Sequence, residues 1–225
     1  MIEAVGVLVP VHDEAELLPA CLASIQHAFA ALPAAVACEL VVVLDACSDD
    51  SKQVATRAGV DTITCAACNV GRARALGARH LLERFTAPRD RIWIATTDAD
   101  TRVPRDWLAK QLRFARAGAQ AVAGTIAVDD WTEHPPGLAE RFARHYARGG
   151  ARHGHVHGAN LGVRADAYLG AGGFAAVETG EDHALWNALA GRPRIATRRI
   201  PVVTSARRQG RAPAGFAGFL VALAS

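Results

Sequence analysis

The chain has 225 residues, 51% of them hydrophobic, which is enough for a buried core in one large domain or two small ones. Its 25 basic residues against 22 acidic ones leave a formal charge of only +3, too slight to argue for a nucleic-acid or membrane partner. No apolar run reaches the roughly 20 residues of a spanning helix, and the first apolar run lacks the basic flank of a secretory signal, so a cytoplasmic location is expected.

In chain order, "AVGVLVP" (4–10) reads as a strand and 14–32 as a helix with Leu17, Leu18, Cys21, Leu22 and Ile25 on one stripe. A strand is expected at 38–45, a helix at 49–59, a strand at 61–66, a helix at 71–85, and a strand at 91–98. A helix at 104–117 and a strand at 119–128 follow. Continuously apolar strands separated by helices indicate an α/β chain with a mostly parallel sheet covered on both faces. Beyond residue 130 come a proline-containing loop, a helix at 137–148, a Gly/His-rich stretch, a short helix from about 181, and an apolar C-terminal helix.

In such sheets ligands bind beyond the C-terminal strand ends, and the polar clusters of this sequence fall there. "TTDADT" (96–101) ends an apolar run in Asp98 and Asp100. In an extended segment positions two apart share a face, so both carboxylates can converge on one cation. Without His or Cys neighbours the pair suits a hard ion such as Mg²⁺ or Mn²⁺, although solvated capping aspartates have the same pattern. In "DACSDDS", Ser48 or Asp49 reads as a helix cap, whereas Asp45 sits on the strand end, where it can accept from the imide N–H of a uracil.

Asn69 and Gly71 open the next helix and are read equally well as a cap and turn or as site residues. Arg72 and Arg74 near that N-terminus oppose the macrodipole unless an anion such as a diphosphate lies close. His153, His155 and His157 alternate, which on a strand would place them on one face, either as metal ligands or as the wall of a sugar or acceptor pocket. Arg207, Arg208 and Arg211 form either a solvated basic turn or a loop over a diphosphate. The five cysteines are odd in number and scattered, and "CAAC" (65–68) has no second pair to complete a zinc site, so reduced thiols are expected.

Six segments in order, "VPVHDEAELLPACLASI", "VVVLDACSDDS", "NVGRARALG", "TTDADT", "GANLGVRADAYLGAGGF" and "GEDHAL", resemble the GT-A glycosyltransferases of family 2 over roughly residues 5 to 190. The resemblance implies a single Rossmann-like GT-A domain over 1–225, with a nucleotide-binding half at about 1–128 and an acceptor-binding half at about 129–225. It implies an inverting, metal-dependent transfer of a sugar from a nucleotide-diphosphate donor, UDP-linked as first guess, to a small or lipid-linked hydroxyl or amine acceptor.

Carried over by position, Pro10, His12, Glu14 and Asp45 would line the base and ribose pocket. Asp100 would be the more direct metal ligand, with Asp98 nearer the ribose. Asp182 would be the general base and Glu181 would orient it, although "GED" also reads as an ordinary acidic helix start. His157 and Asn160 would border the donor sugar and acceptor, and if the basic turn is instead a late loop over the diphosphate, as in many enzymes of this fold, Arg207 and Arg208 are its candidates. The motif Q-x-x-R-W of polymer-forming members is absent. A sugar-1-phosphate nucleotidyltransferase would need a glycine-rich loop where "PVHDEAELL" has none, and a noncatalytic nucleotide-sugar binding module is the remaining alternative. The apolar C-terminal helix leaves a homodimer, peripheral membrane contact or burial in the chain's own core open.

Overall fold

The computed structural model describes residues 1–147, 154–208, 210 and 215–224. Among the described residues eight strands form one sheet: β1 (Ala4–Val11), β2 (Ala37–Asp45), β3 (Asp61–Cys65), β4 (Ile92–Thr96), β5 (Thr101–Arg102), β6 (Ala121–Ala127), β7 (Leu161–Arg164) and β8 (Arg194–Thr204). Their order is β3-β2-β1-β4-β7-β6-β8-β5. The helices are α1 (Leu18–Phe29), α2 (Ser51–Arg57), α3 (Val70–Arg84), α4 (Trp107–Arg116), α5 (Leu138–Ala147), α6 (Ala165–Gly170), α7 (Glu181–Ala188) and α8 (Phe216–Ala224). Among the described residues no helix is long and apolar enough to cross a membrane.

The strand alternation sorts the core into two layers. In β1, Val5, Val7, Val9 and Val11 pack with Leu18, Leu22 and Ile25 of α1, while Ala4 and Leu8 point to the other face and join Ala78 and Leu81 of α3. In β4, Trp93 and Ala95 join the first layer, and Ile92 and Ile94 the second. Side chains two apart share a face, so an uninterrupted apolar strand needs helices on both sides, and it has them.

β1, β2, β3, β4, β6 and β8 run one way, and β7 and β5 run the other. The C-terminal ends of the first six and the starts of β5 and β7 therefore meet at one rim. That reversal carries residues 154–160, which precede β7, to the rim where the turn after β4 lies.

Several boundaries differ from expectation. α1 begins at Leu18, four residues later than the pattern suggested, with Pro19 in its first turn, where a missing N–H costs no helical bond. Residues 15–17 form a turn instead, and Ser51 Oγ and Asp49 Oδ2 accept from the Glu14 and Ala15 N–H groups at its start. β5, β7, α6 and the long β8 were not anticipated. In β8, Arg194, Arg198, Arg199 and Pro201 break the apolar pattern. Pro201 is accommodated opposite Thr125, where the β6–β8 register shifts.

Candidate active site

A cavity of about 610 Å³ opens along this rim. Pro10 and His12 reach it from the end of β1, Asp45 from the end of β2, Asp98 and Asp100 from the turn after β4, Ile126 from β6, and Thr204 and Arg207 from the end of β8. α7 contributes Glu181 and Asp182, and the segment before β7 contributes His155, His157 and Gly158.

β4 ends at Thr96, so Asp98 and Asp100 are not on an extended strand. They belong to a turn closed by the Thr101 N–H donating to Asp98 O at 3.1 Å, and the Cys21 thiol donates to the same carbonyl at 3.3 Å. Both carboxylates face the cavity because the turn, and not strand alternation, aims them there.

Each is met by an arginine. Arg74 of α3, only 3% exposed, donates through Nη2 to Asp98 Oδ1 at 2.5 Å, through Nη1 to Glu181, and through Nε to Thr96 Oγ1 at 3.2 Å. Burial acts to lower its pKa, but Asp98, Glu181 and Asp182 outweigh burial and raise it. The unfavourable cation at the α3 N-terminus thus has protein carboxylates as its anions. Gly158 permits this placement, since a Cβ there would lie 2.3 Å from Arg74 Nη2. At Gly71 a Cβ would lie 2.2 Å from the Ala175 carbonyl, so the glycine sets how closely α3 approaches the segment leading to α7.

Arg207 donates to Glu14 Oε2 at 2.9 Å and to Asp100 Oδ2 at 2.7 Å. Asp100 Oδ1 accepts from the Thr101 and Thr204 hydroxyls. Desolvation and the nearby Asp98 charge raise the Asp100 carboxyl to about 6, against the pull of Arg207.

At the other end of the rim, Asp45 is buried and accepts three backbone N–H groups, Ala67 and Cys68 on Oδ1 and Asn69 on Oδ2. His12 Nδ1 lies 2.7 Å from the Asp45 carbonyl, to which it donates. Asn69 lines the cavity and caps α3 by accepting the Arg72 N–H, while its Nδ2 donates to Val177 O. Asp182 lies on the opposite wall, where its carboxylate accepts from the Gly158 N–H at 2.8 Å and from its own helix at the His183 N–H. Glu181 is buried and bound to Arg74, and burial raises its carboxyl against that pull.

Three of the residues singled out from the sequence lie elsewhere. Asn160 is fully buried behind the cavity, accepting from Trp107 Nε1 at 2.9 Å and donating to the Thr125 and Ile200 carbonyls at 2.8 and 2.6 Å. These bonds engage its oxygen and both amide hydrogens, so it is a core residue. Arg72 and Arg208 are exposed and outside the cavity. His153 and Arg211 lie outside the described residues.

The sequence reading missed an aromatic wall. Tyr146 of α5 stacks on His155 at 4.1 Å with 6° between planes, and its hydroxyl is hydrogen-bonded to His157 Nε2. His145, Phe216 and Phe219 continue the wall. The available signal was the stripe Leu138, Phe142, Tyr146 on α5, which aims Tyr146 inward.

Among the described residues, seven carboxylates line the cavity (Glu14, Asp45, Asp98, Asp100, Glu178, Glu181 and Asp182) against two guanidinium groups. A diphosphate entering such a cavity meets repulsion unless a cation accompanies it. Asp98 and Asp100 fit a hard divalent ion held by one or two carboxylates and by substrate phosphates, since the neighbouring Cys21 thiol is kept protonated by burial and by the two aspartate charges and is turned to the Asp98 carbonyl. The described group of three candidate ligands within 4.8 Å of one another lies next to His12 and comprises Asp13, Cys47 and Asp49. Its carboxylates already accept from the Ser48, Asp49, Ala15 and Ser51 N–H groups.

The family model described as glycosyl transferase family 2 matches residues 6–169. No curated protein sequence matches the chain. Among solved structures, the mannosyltransferase PcManGT from Pyrobaculum calidifontis, in complex with GDP-Man and Mn²⁺, is 22% identical with a TM-score of 0.68, over 92% of this chain and 58% of that one. TarS residues 1–349 from S. aureus in complex with UDP-GlcNAc gives 12% and 0.67 over 96% and 62%. Glucosyl-3-phosphoglycerate synthase from Mycobacterium tuberculosis with phosphoglyceric acid gives 15% and 0.58 over 98% and 78%. The chain thus spans about three fifths of the length of the first two. These likenesses establish the GT-A fold, and the match over most of its length establishes that the chain belongs to glycosyl transferase family 2.

Proposed function

We propose that this chain transfers a glycosyl group, with inversion, from a nucleotide-diphosphate sugar to a hydroxyl or amine acceptor, and that it works with Mg²⁺ or Mn²⁺. The observation that carries the reading is one cavity with the Asp98–Asp100 turn on one wall and the Asp182 carboxylate on another. The complexes of PcManGT with GDP-Man and Mn²⁺ and of TarS with UDP-GlcNAc support the donor class. Five free thiols agree with a cytoplasmic working place.

In this reading residues 1–128 hold the donor and 129–225 the acceptor. Pro10 and His12 flank the base, and Asp45 Oδ2, which takes one N–H from Asn69, accepts the base imide. Asp100 and Asp98 hold the divalent ion, which when bound offsets charge on the diphosphate. Arg207 touches Asp100 and Arg74 touches Asp98, so each carboxylate of the pair has a guanidinium beside it, and Arg207 is assigned to the diphosphate. Asp182 takes the proton from the acceptor as its oxygen or nitrogen attacks the anomeric carbon from the face opposite the diphosphate. Arg74 fixes the Asp98 and Glu181 carboxylates, so the two walls keep their separation.

Thermal unfolding with UDP, GDP, dTDP and CDP, each with and without Mn²⁺, tests the donor half, because a ligand of the native state raises the midpoint by mass action. A metal-dependent rise with one nucleotide that disappears in Asp100→Ala is expected. No rise with any of them overturns the donor assignment. Asp182→Asn is expected to retain that rise while losing turnover, and unchanged turnover removes Asp182 as the base.

A further inference from the structure

The cavity is chemically divided. Four of its carboxylates, Glu14, Asp45, Asp98 and Asp100, gather with Arg74 and Arg207 beside β1, β2 and β4, Glu178, Glu181 and Asp182 come from α7 and the turn before it, and the part over β6 and β8 is walled by rings from α5, α8 and residues 155–157. His155 lies flat on Tyr146 at 4.1 Å, and His157 is within 13° of the same plane. Tyr146 stacks in turn on Phe142 at 4.8 Å, and Phe142 meets the edges of Phe216 and Phe219. The wall is therefore braced from behind. Aliphatic side chains contribute little to it: Ile126, Val156 and Ala217 are the neighbours.

Three acceptor chemistries can be compared against that surface. An anionic acceptor is best held by guanidinium groups, and the two among the described lining residues, Arg74 and Arg207, are both engaged by carboxylates. A flexible aliphatic chain gains from a greasy groove of branched side chains, and here rings with polar edges outnumber them. A planar ring gains from parallel stacking on a preordered ring slab. Asp182 stands next to this wall, its carboxylate anchored on Gly158, the residue following His157.

We propose that the acceptor carries a flat aromatic ring beside the hydroxyl or amine that is glycosylated, and that the ring rests against His155 and Phe219. This rests on the reading of Asp182 as the base. For a phenolic acceptor the O–H bond breaks with its proton passing to Asp182, and the oxygen bonds to the anomeric carbon. The bond from that carbon to the nucleotide diphosphate breaks, with its electron pair leaving on the diphosphate. A phenol, ionising near pH ~10 as tyrosine does, releases that proton more readily than an alkyl alcohol.

The test is binding of 2-naphthol to the full chain, followed by its fluorescence, with cyclohexanol and glycerol 3-phosphate as competitors. Naphthol is expected to bind, with neither competitor displacing it at comparable concentration. His155→Ala and Phe219→Leu, the latter keeping apolar bulk in α8, should each weaken it about fivefold, the scale of one ring contact. Both should keep the nucleotide-dependent rise in unfolding midpoint. Absence of naphthol binding, equal displacement by either competitor, or wild-type affinity in both variants overturns the proposal. Loss of the nucleotide response in the wild type instead sinks glycosyl transfer, and naphthol binding measured without nucleotide reports separately on the ring wall.

Discussion

Replacing Arg74 by Met removes the cation that α3 places between the two carboxylate walls while keeping most of the side chain's volume. Arg74 and Glu181 expose 4% and 5% of their side chains, so Glu181 would be left as a buried carboxylate with its partner gone. Asp98, at 38%, can turn to water and should contribute less. Breaking a buried pair from one side costs about 3–5 kcal/mol, and the Glu181 contact alone meets the conditions for that range. Urea unfolding followed by circular dichroism should therefore show Arg74→Met destabilised by about 3 kcal/mol or more. Adding Glu181→Leu should recover much of the loss, because the uncompensated charge goes with it. A loss below about 1 kcal/mol, the scale of an exposed pair, refutes the reasoning, as does a double variant no more stable than the single one.

Asn160→Ala removes the side-chain partner of buried Trp107 Nε1 and one donor each from the Thr125 and Ile200 carbonyls, and at about 1–3 kcal/mol for the orphaned indole N–H plus smaller losses at the carbonyls unfolding should show a loss of about 2 kcal/mol or more with nucleotide response retained in the folded fraction. The opposite pattern, intact stability with lost nucleotide response, would return Asn160 to the site. The His80 hydrogen bond and charge, helped by Arg84 and opposed by slight burial, hold the Asp61 carboxyl below its unfolded 3.8. That contribution is present above pH 3.8 and disappears as pH falls through the lower folded value. At this pair, about one-third exposed, it is worth about 0.5 kcal/mol, so the wild-type advantage over Asp61→Asn should shrink as pH falls below 3.8, and a gap that stays constant there contradicts it. With a disulfide-forming thiol reagent, exposed Cys68 should react in the native state. Burial and the nearby Asp100 and Asp98 charges raise the Cys21 thiol, which should react only on unfolding.

The fold of the first 130 residues was legible because its signals are local. The continuous apolar runs of β1 and β4, the Asn69 cap and the periodic stripe of α1 each act within a few residues. The strand-end position of the polar clusters follows from that pattern, which is why Asp45, Asp98 and Asp100 stand out in the amino-acid sequence itself. Asp182 was singled out only through the ordered set of motifs around it, because an acidic helix start has no local mark of its own. β8 was hidden by arginines and a proline that a register shift accommodates, and a register shift exists only once β6 lies alongside.

Ionic partners belong to the tertiary structure alone. Arg207 reaches Glu14 across 193 residues and Asp100 across 107, and Arg74 reaches Glu181 across 107, distances over which sequence spacing carries no information. For the same reason "GAN" could not reveal that Asn160 faces Trp107 and the β6 and β8 backbone while its neighbours line the cavity. Local chemistry decided which residue types stand at the rim, and the reversal of β7 and the return of β8 decided which of them face one another.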